Sequence, residues 1–145
     1  LNTDEIVAVL AHEVGHYKRK HSLSMFLLLT AEIFAMLALL GWLLGYSGLS
    51  AALGASQPSF HLSAFAFFLL YTPIAMLQGL LNNSISRKRE FDADQFAKRT
   101  DSVIALASAL EKIATDSLAN LNPHPWYVRF NYTHPPVKER LAALA

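Results

Sequence analysis

Apolar and polar positions follow helical spacing over most of this chain, and two long stretches are apolar on every face. Near the start, Ile6, Val7, Val9, Leu10 and Val14 recur as an apolar stripe, and Asn2 is followed three positions later by Glu5, the spacing of a capping box. A helix is therefore predicted over residues 1–21. Residues 22–46 and 60–81 contain Leu23 to Tyr46 and Phe60 to Leu81, each long enough for the roughly 20 helical residues that cross a bilayer. Between Ser22 and Ser86 the only charged side chain is Glu32. Few helices of soluble proteins are so uniformly apolar. The uncharged run 47–59, with its Gly, Ser and Pro, reads as a turn between antiparallel spans. Beyond the hairpin, 87–98 reads as a charged helix and Asp101 to about Leu118 as an amphipathic one, with Val103, Leu106, Ala107, Leu110, Ile113 and Ala114 on one face. Residues 120–132, rich in Pro and Asn, read as a loop whose Trp126, Tyr127 and Phe130 pack on that helix or lie at a membrane interface. The expected fold class is all-α, a transmembrane helical hairpin set between two helical flanks.

Charge fixes the expected orientation. Lys18, Arg19 and Lys20 precede the first span and Arg87, Lys88 and Arg89 follow the second, so both flanks are expected on the cytoplasmic side. The balance of 12 basic to 11 acidic residues excludes a nucleic-acid footprint. Absence of cysteine excludes a thiol protease and a Cys-ligated zinc. Within the hairpin, Glu32 falls near mid-membrane and is expected to line a polar interior. Pro73 is expected to kink the second span, with Tyr71, Thr72 and Gln78 as polar neighbours for the freed backbone groups. Asn82 and Asn83 are expected to cap the helix that follows, and His21, His61 and His124 to be interfacial or loop histidines.

The chemistry lies in His12-Glu13-Val14-Gly15-His16. On a helix this H-E-x-x-H pattern puts two imidazoles one turn apart on one face, able to share a zinc ion, with Glu13 placed to take a proton from an activated water. Catalytic zinc usually has three protein ligands and an open fourth position, so one ligand is missing. The best candidate is Glu90, with Asp94 one turn further on to accept the N–H of a ligating histidine. The same segment also reads as a solvated helix with pairs such as Asp94 and Lys98. A hairpin that leaves the membrane and returns would bring Glu90 back to the level of His12 and His16.

These residues carry a resemblance. The segment HEVGHYKRKH, two spans, then Asn83-x-x-x-Arg87-x-x-Glu90-x-x-Ala93-Asp94, and finally Thr133-His134-Pro135-Pro136-Val137-Lys138-Glu139-Arg140-Leu141 together resemble the Ste24-type CAAX prenyl proteases. These are integral-membrane zinc endopeptidases of the M48 type, and HtpX-type membrane proteases form a related branch. His21 and the stretch Asn122-Pro123-His124-Pro125 look more like the Ste24 branch. The resemblance implies a gluzincin-type site holding one Zn2+ per chain through His12, His16 and Glu90. It implies Glu13 as general base, Asp94 as the support of a zinc histidine, and His134 and Arg140 on the substrate side. Pro135 and Pro136 suit the entrance of a helix, which puts His134 just before it and Arg140 about one turn in. A cationic or hydrogen-bonding pair there could stabilise an oxyanion, or could hold Asp94 or the helix in place.

The expected function is zinc-dependent hydrolysis of peptide bonds in prenylated CAAX or other membrane-associated peptides, by an integral membrane protein whose partners are a peptide substrate and the bilayer. An HtpX-like quality-control protease and a non-catalytic membrane scaffold are the alternatives. A di-iron bundle would need a second Glu-x-x-His, and the third residue after Glu32, Glu90 and Glu111 is Ala35, Ala93 and Ala114. A chain that opens on Leu1 at a helix start is expected to be the C-terminal peptidase portion of a longer protein, 1–145 forming one such portion, with 82–145 carrying Glu90 and the HPP-x-x-x-R element.

Overall fold

Asn2 and Glu5 form the predicted capping box. The Glu5 amide donates to Asn2 Oδ1 at 2.8 Å and the Asn2 amide donates to Glu5 Oε2 at 2.7 Å, which satisfies two backbone donors that a helix start leaves without partners. The first helix, α1 (Thr3–Lys18), begins there. The computed structural model describes residues 1–100 and 103–145, and the remaining helices are α2 (His21–Leu44), α3 (Gly48–Ala51), α4 (Phe60–Lys98), α5 (Val103–Asp116), α6 (Pro125–Asn131) and α7 (Val137–Leu144). The described residues contain no strand, so the chain is all-α. Asp101 and Ser102, the first positions of the predicted 101–118 helix, lie outside the described residues.

The chain divides into two compact units, residues 23–78 and residues 1–22 with 79–145. In the first, α2 and the early part of α4 are long and apolar enough to cross a membrane. Many of their large side chains, among them Phe26, Phe34, Trp42, Phe65 and Leu70, are exposed, while Phe67 of α4 is buried. α4 runs unbroken through Pro73. The expected polar neighbours are engaged there: Thr72 Oγ1 donates to the Phe68 carbonyl at 3.0 Å and the Tyr71 hydroxyl to Gln78 Oε1 at 2.8 Å. The predicted turn contains the four residues of α3, and Gly54 takes a positive φ of 84° that suits a residue without Cβ.

The second unit holds the polar chemistry around a small core. Ala8, Ala97, Leu106, Leu110 and Leu144 pack together, with Ala11, Val103, Val137 and Leu141 beside them. α5 buries Leu106, Ala109, Leu110 and Ala114, while Ile113 turns outward. Contrary to the stripe read from sequence, α1 exposes Ile6, Val7, Leu10 and Val14 and buries Glu5, Ala8, His12 and Gly15. The inward face is polar and small-residued because it carries the site and a close helix contact. A Cβ on Gly15 would come within 3.2 Å of the Ala93 Cα and 3.1 Å of the Phe96 Cβ. Only the absence of that atom lets α1 and α4 approach so closely.

Two local expectations are corrected. Asn82 and Asn83 do not cap a helix but lie inside α4, and Asn83 Nδ2 donates to the Phe130 carbonyl at 2.7 Å. The stretch 120–132 is not all loop. Pro125 occupies the first turn of α6, where a missing N–H costs nothing, and His124 Nδ1 accepts from the Trp126 amide as the cap. Arg87 Nη1 anchors α6 through the carbonyls of Val128 and Tyr132. α7 starts after Pro136, and its last carbonyls take Gln95 and Lys98 of α4.

Candidate metal centre

Helix spacing on α1 stacks His12 and His16 one above the other, and the close approach allowed by Gly15 sets Glu90 of α4 against both. The two Nε2 atoms are 3.1 Å apart. Glu90 Oε2 is 3.6 Å from His12 Nε2 and Glu90 Oε1 is 3.3 Å from His16 Nε2. Ligand atoms about 2.0–2.1 Å from a tetrahedral zinc stand about 3.3–3.4 Å from one another. The three side chains form the one cluster of metal-ligating groups found among the described residues.

The protonation pattern also suits a cation. His12 Nδ1 lies 2.8 Å from Asp94 Oδ1. A carboxylate there holds the imidazole proton on Nδ1 and leaves Nε2 with a bare lone pair pointing at the other two donors. Asp94 is fully buried and is itself gripped by Arg140, whose Nε donates to Oδ2 at 2.8 Å and Nη2 to Oδ1 at 2.6 Å. Burial works to raise the Asp94 carboxyl, and the hydrogen bonds of Arg140 and His12 outweigh it and hold it below its ordinary value. Asp94 thus contacts His12 and Arg140, while Lys98, its alternative partner by spacing, is bonded elsewhere, on the Leu144 carbonyl.

Glu90 is similarly held. Burial works to raise its carboxyl, but His134 Nδ1 at 3.0 Å from Oε2, together with the charge of Arg140, keeps it lowered. The Arg140 Nη1 is 3.4 Å from the same oxygen. For His134 the hydrogen bond to Glu90 comes first and raises its pKa. Burial leads the effects on His16 and lowers it.

His134 precedes α7 as expected and its side chain is two-thirds exposed, whereas Arg140, in the first turn, is buried against Asp94. Of the two roles open to Arg140 from its sequence, the contacts seen are those of a residue that holds Asp94. Glu13 is exposed. It shares an open cleft of about 390 Å³ with His12, His16, Glu90, His134 and Arg140, walled on one side by Leu106, Leu110 and Ile113 of α5.

The other histidines divide. His61 is exposed beside Ser59 Oγ, and His124 caps α6. His21 departs from expectation: it is buried, and its Nδ1 lies 3.1 Å from His16 Nδ1. Nothing in the periodicity signals this, because the contact depends on a break in the helix.

The sequence matches Peptidase family M48 over residues 1–145. It is 33% identical over 141 residues to the CAAX prenyl protease 1 homolog of Oryza sativa, covering 97% of this chain and 33% of the relative. It is 34% identical over 143 residues to the CAAX prenyl protease 1 homolog of Homo sapiens, covering 97% of this chain and 30% of that protein. The crystal structure of S. mikatae Ste24p superposes with a TM-score of 0.83 at 29% identity, over 99% of this chain and 36% of the other. The chain thus spans about a third of the length of the relatives it matches.

Proposed function

The chain belongs to peptidase family M48, and from that premise we propose that it carries the catalytic centre of a membrane-embedded zinc endopeptidase that cleaves prenylated CAAX or related membrane-associated peptides. The observation that carries this reading is the convergence of His12, His16 and Glu90 on one point at the edge of a cleft that also exposes Glu13. Zinc, when bound there, would supply a lowered pKa for water and polarisation of the scissile carbonyl. Glu13 takes the proton of the attacking water as its oxygen bonds to the carbonyl carbon. It returns that proton to the nitrogen as the C–N bond breaks. His134, exposed beside Glu90, offers its outer edge to the developing oxyanion. Asp94 fixes the tautomer and ring plane of His12, and Arg140 fixes Asp94.

The exposed apolar surfaces of α2 and early α4 support bilayer embedding, and the Lys and Arg residues at 18–20 and 87–89 support a cytoplasmic site. The prenyl preference is carried over from the named relatives, and it has its own test: the full-length protein is offered one peptide in prenylated and non-prenylated form. Faster cleavage of the prenylated form is expected, and equal rates would remove prenyl recognition from the proposal. Metal analysis of the purified protein should give one zinc per chain, lost in Glu90→Ala. Full zinc retention in that variant would remove Glu90 from the ligand set.

A further inference from the structure

α1 ends at Lys18, Lys20 adopts a left-handed backbone with φ 55°, and α2 starts at once at His21. On an uninterrupted helix residue 21 would stand about 140° around the axis from residue 16. The break turns it back, so that the two rings meet edge to face with centroids 5.1 Å apart and Nδ1 atoms 3.1 Å apart. A lysine in the left-handed region is uncommon, and such conformations persist where the surrounding structure over-determines them. Here the surroundings include Arg89, whose Nη1 donates to the His21 carbonyl at 3.2 Å and so ties the start of α2 to α4.

We propose that His21 is the positioning residue of His16, accepting the Nδ1–H of His16 on its own Nδ1 and thereby turning the bare Nε2 of His16 toward Glu90 and His12. This rests on the reading of His16 as a metal ligand. The pairing repeats for His16 what Asp94 does for His12, with a neutral imidazole in place of a carboxylate. His21 is not a ligand itself, because it touches the ring nitrogen of His16 on the side away from the cluster. Its own proton then sits on Nε2. A ligating histidine whose far nitrogen lacks an acceptor is free to rotate or to place its proton on the metal-facing atom, and loss of such partners typically weakens metal binding 10–100-fold.

The test uses the full-length protein and measures zinc affinity by competition with a chromophoric chelator. His21→Leu, which keeps bulk and removes the acceptor, should bind zinc about 10–100-fold more weakly. His21→Asn, whose Oδ1 replaces the imidazole Nδ1, should restore affinity to within about threefold of wild type. Cobalt(II) loaded in place of zinc gives a second readout, since its visible bands should shift in the leucine variant and coincide with wild type in the asparagine one. His21→Ala gives the same comparison if leucine is not accommodated. Wild-type affinity in the leucine or alanine variant, or equal weakening in the asparagine one, would overturn the proposal. His16→Ala separates the two levels of inference: if it keeps its zinc, the ligand reading itself fails, whatever His21 does.

Discussion

Three carboxylates meet at this site, and solvent access sorts them. Glu90 and Asp94 are buried and each is held as an anion by neighbouring cations and imidazole N–H groups, whereas Glu13 is exposed to the cleft. Glu13→Gln should therefore lose about 10²–10⁴-fold in turnover with zinc content unchanged, measured on matched zinc-loaded samples. Appreciable activity in that variant would leave the general-base assignment without support. His134→Ala should lower kcat and kcat/KM together by about 10²–10³ while zinc stays bound, because the interaction proposed for its outer edge forms only with the developing oxyanion. Release of zinc would instead make this histidine a support for Glu90, a contact it already has at 3.0 Å. Arg140→Ala strands Asp94 as an unpaired buried charge, so a stability loss of about 3–5 kcal/mol is expected in denaturant titration. His12 and His16 were legible from identity and spacing, whereas Glu90 needed the hairpin and the family resemblance, its segment reading as readily as a solvated charged helix. For Arg140 the sequence left two roles open, since the fourth residue of a short helix carries no mark of whether it faces substrate or a buried carboxylate.

Helix α1 works as a two-sided element. Its start is fastened by Glu5, whose Oε1 accepts from Ser108 Oγ at 2.7 Å and Lys112 Nζ at 2.5 Å of α5, and whose carboxyl is held down to about 2, first by Lys112 and then by Ser108 and Asn2. A carboxylate whose pKa is depressed on folding adds stability that is fully present above its unfolded value and is lost as pH falls through the folded one. The stabilising effect of Glu5 should thus be complete above pH 4.5 and fade between there and about pH 2. Unfolding of metal-free wild type and Glu5→Gln across that range checks it: the gap between them should close on acidification, and a constant gap would contradict the assignment. Gly15 fastens the other end. Its replacement by Val should force α1 away from Ala93 and Phe96, at about 1–3 kcal/mol of overpacking, and weaken zinc binding because the two helices carry different proposed ligands. Zinc titration of Gly15→Val at wild-type strength would show that the contact has slack. The capping box was readable because it is local. The outward turn of Ile6, Leu10 and Val14 was not, since an apolar stripe announces a partner surface without saying that the other face holds small residues and the site. The helix over 125–131 was hidden by its prolines, which mark a helix start as readily as a loop.

At the scale of the whole molecule, the sequence pattern and the described helices agree on two apolar elements inserted between the parts of one polar unit. Cysteine labelling tests the proposed orientation, since the chain has no cysteine of its own. Ser56→Cys and Asn122→Cys, both exposed, should react with an impermeant reagent from opposite sides of sealed vesicles. Labelling of both from one side would rule out the hairpin. The insertion has a consequence for time. Ribosomes add about 5–20 residues per second, and the histidines of α1 emerge well before Glu90, with His134 later again. For something on the order of ten seconds the nascent chain holds two of the three proposed ligands and no acceptor for the N–H of His12, and the missing carboxylates arrive only after both apolar stretches have been made. On the proposed function, a peptidase assembled in this order has no complete catalytic centre until both apolar stretches have been made.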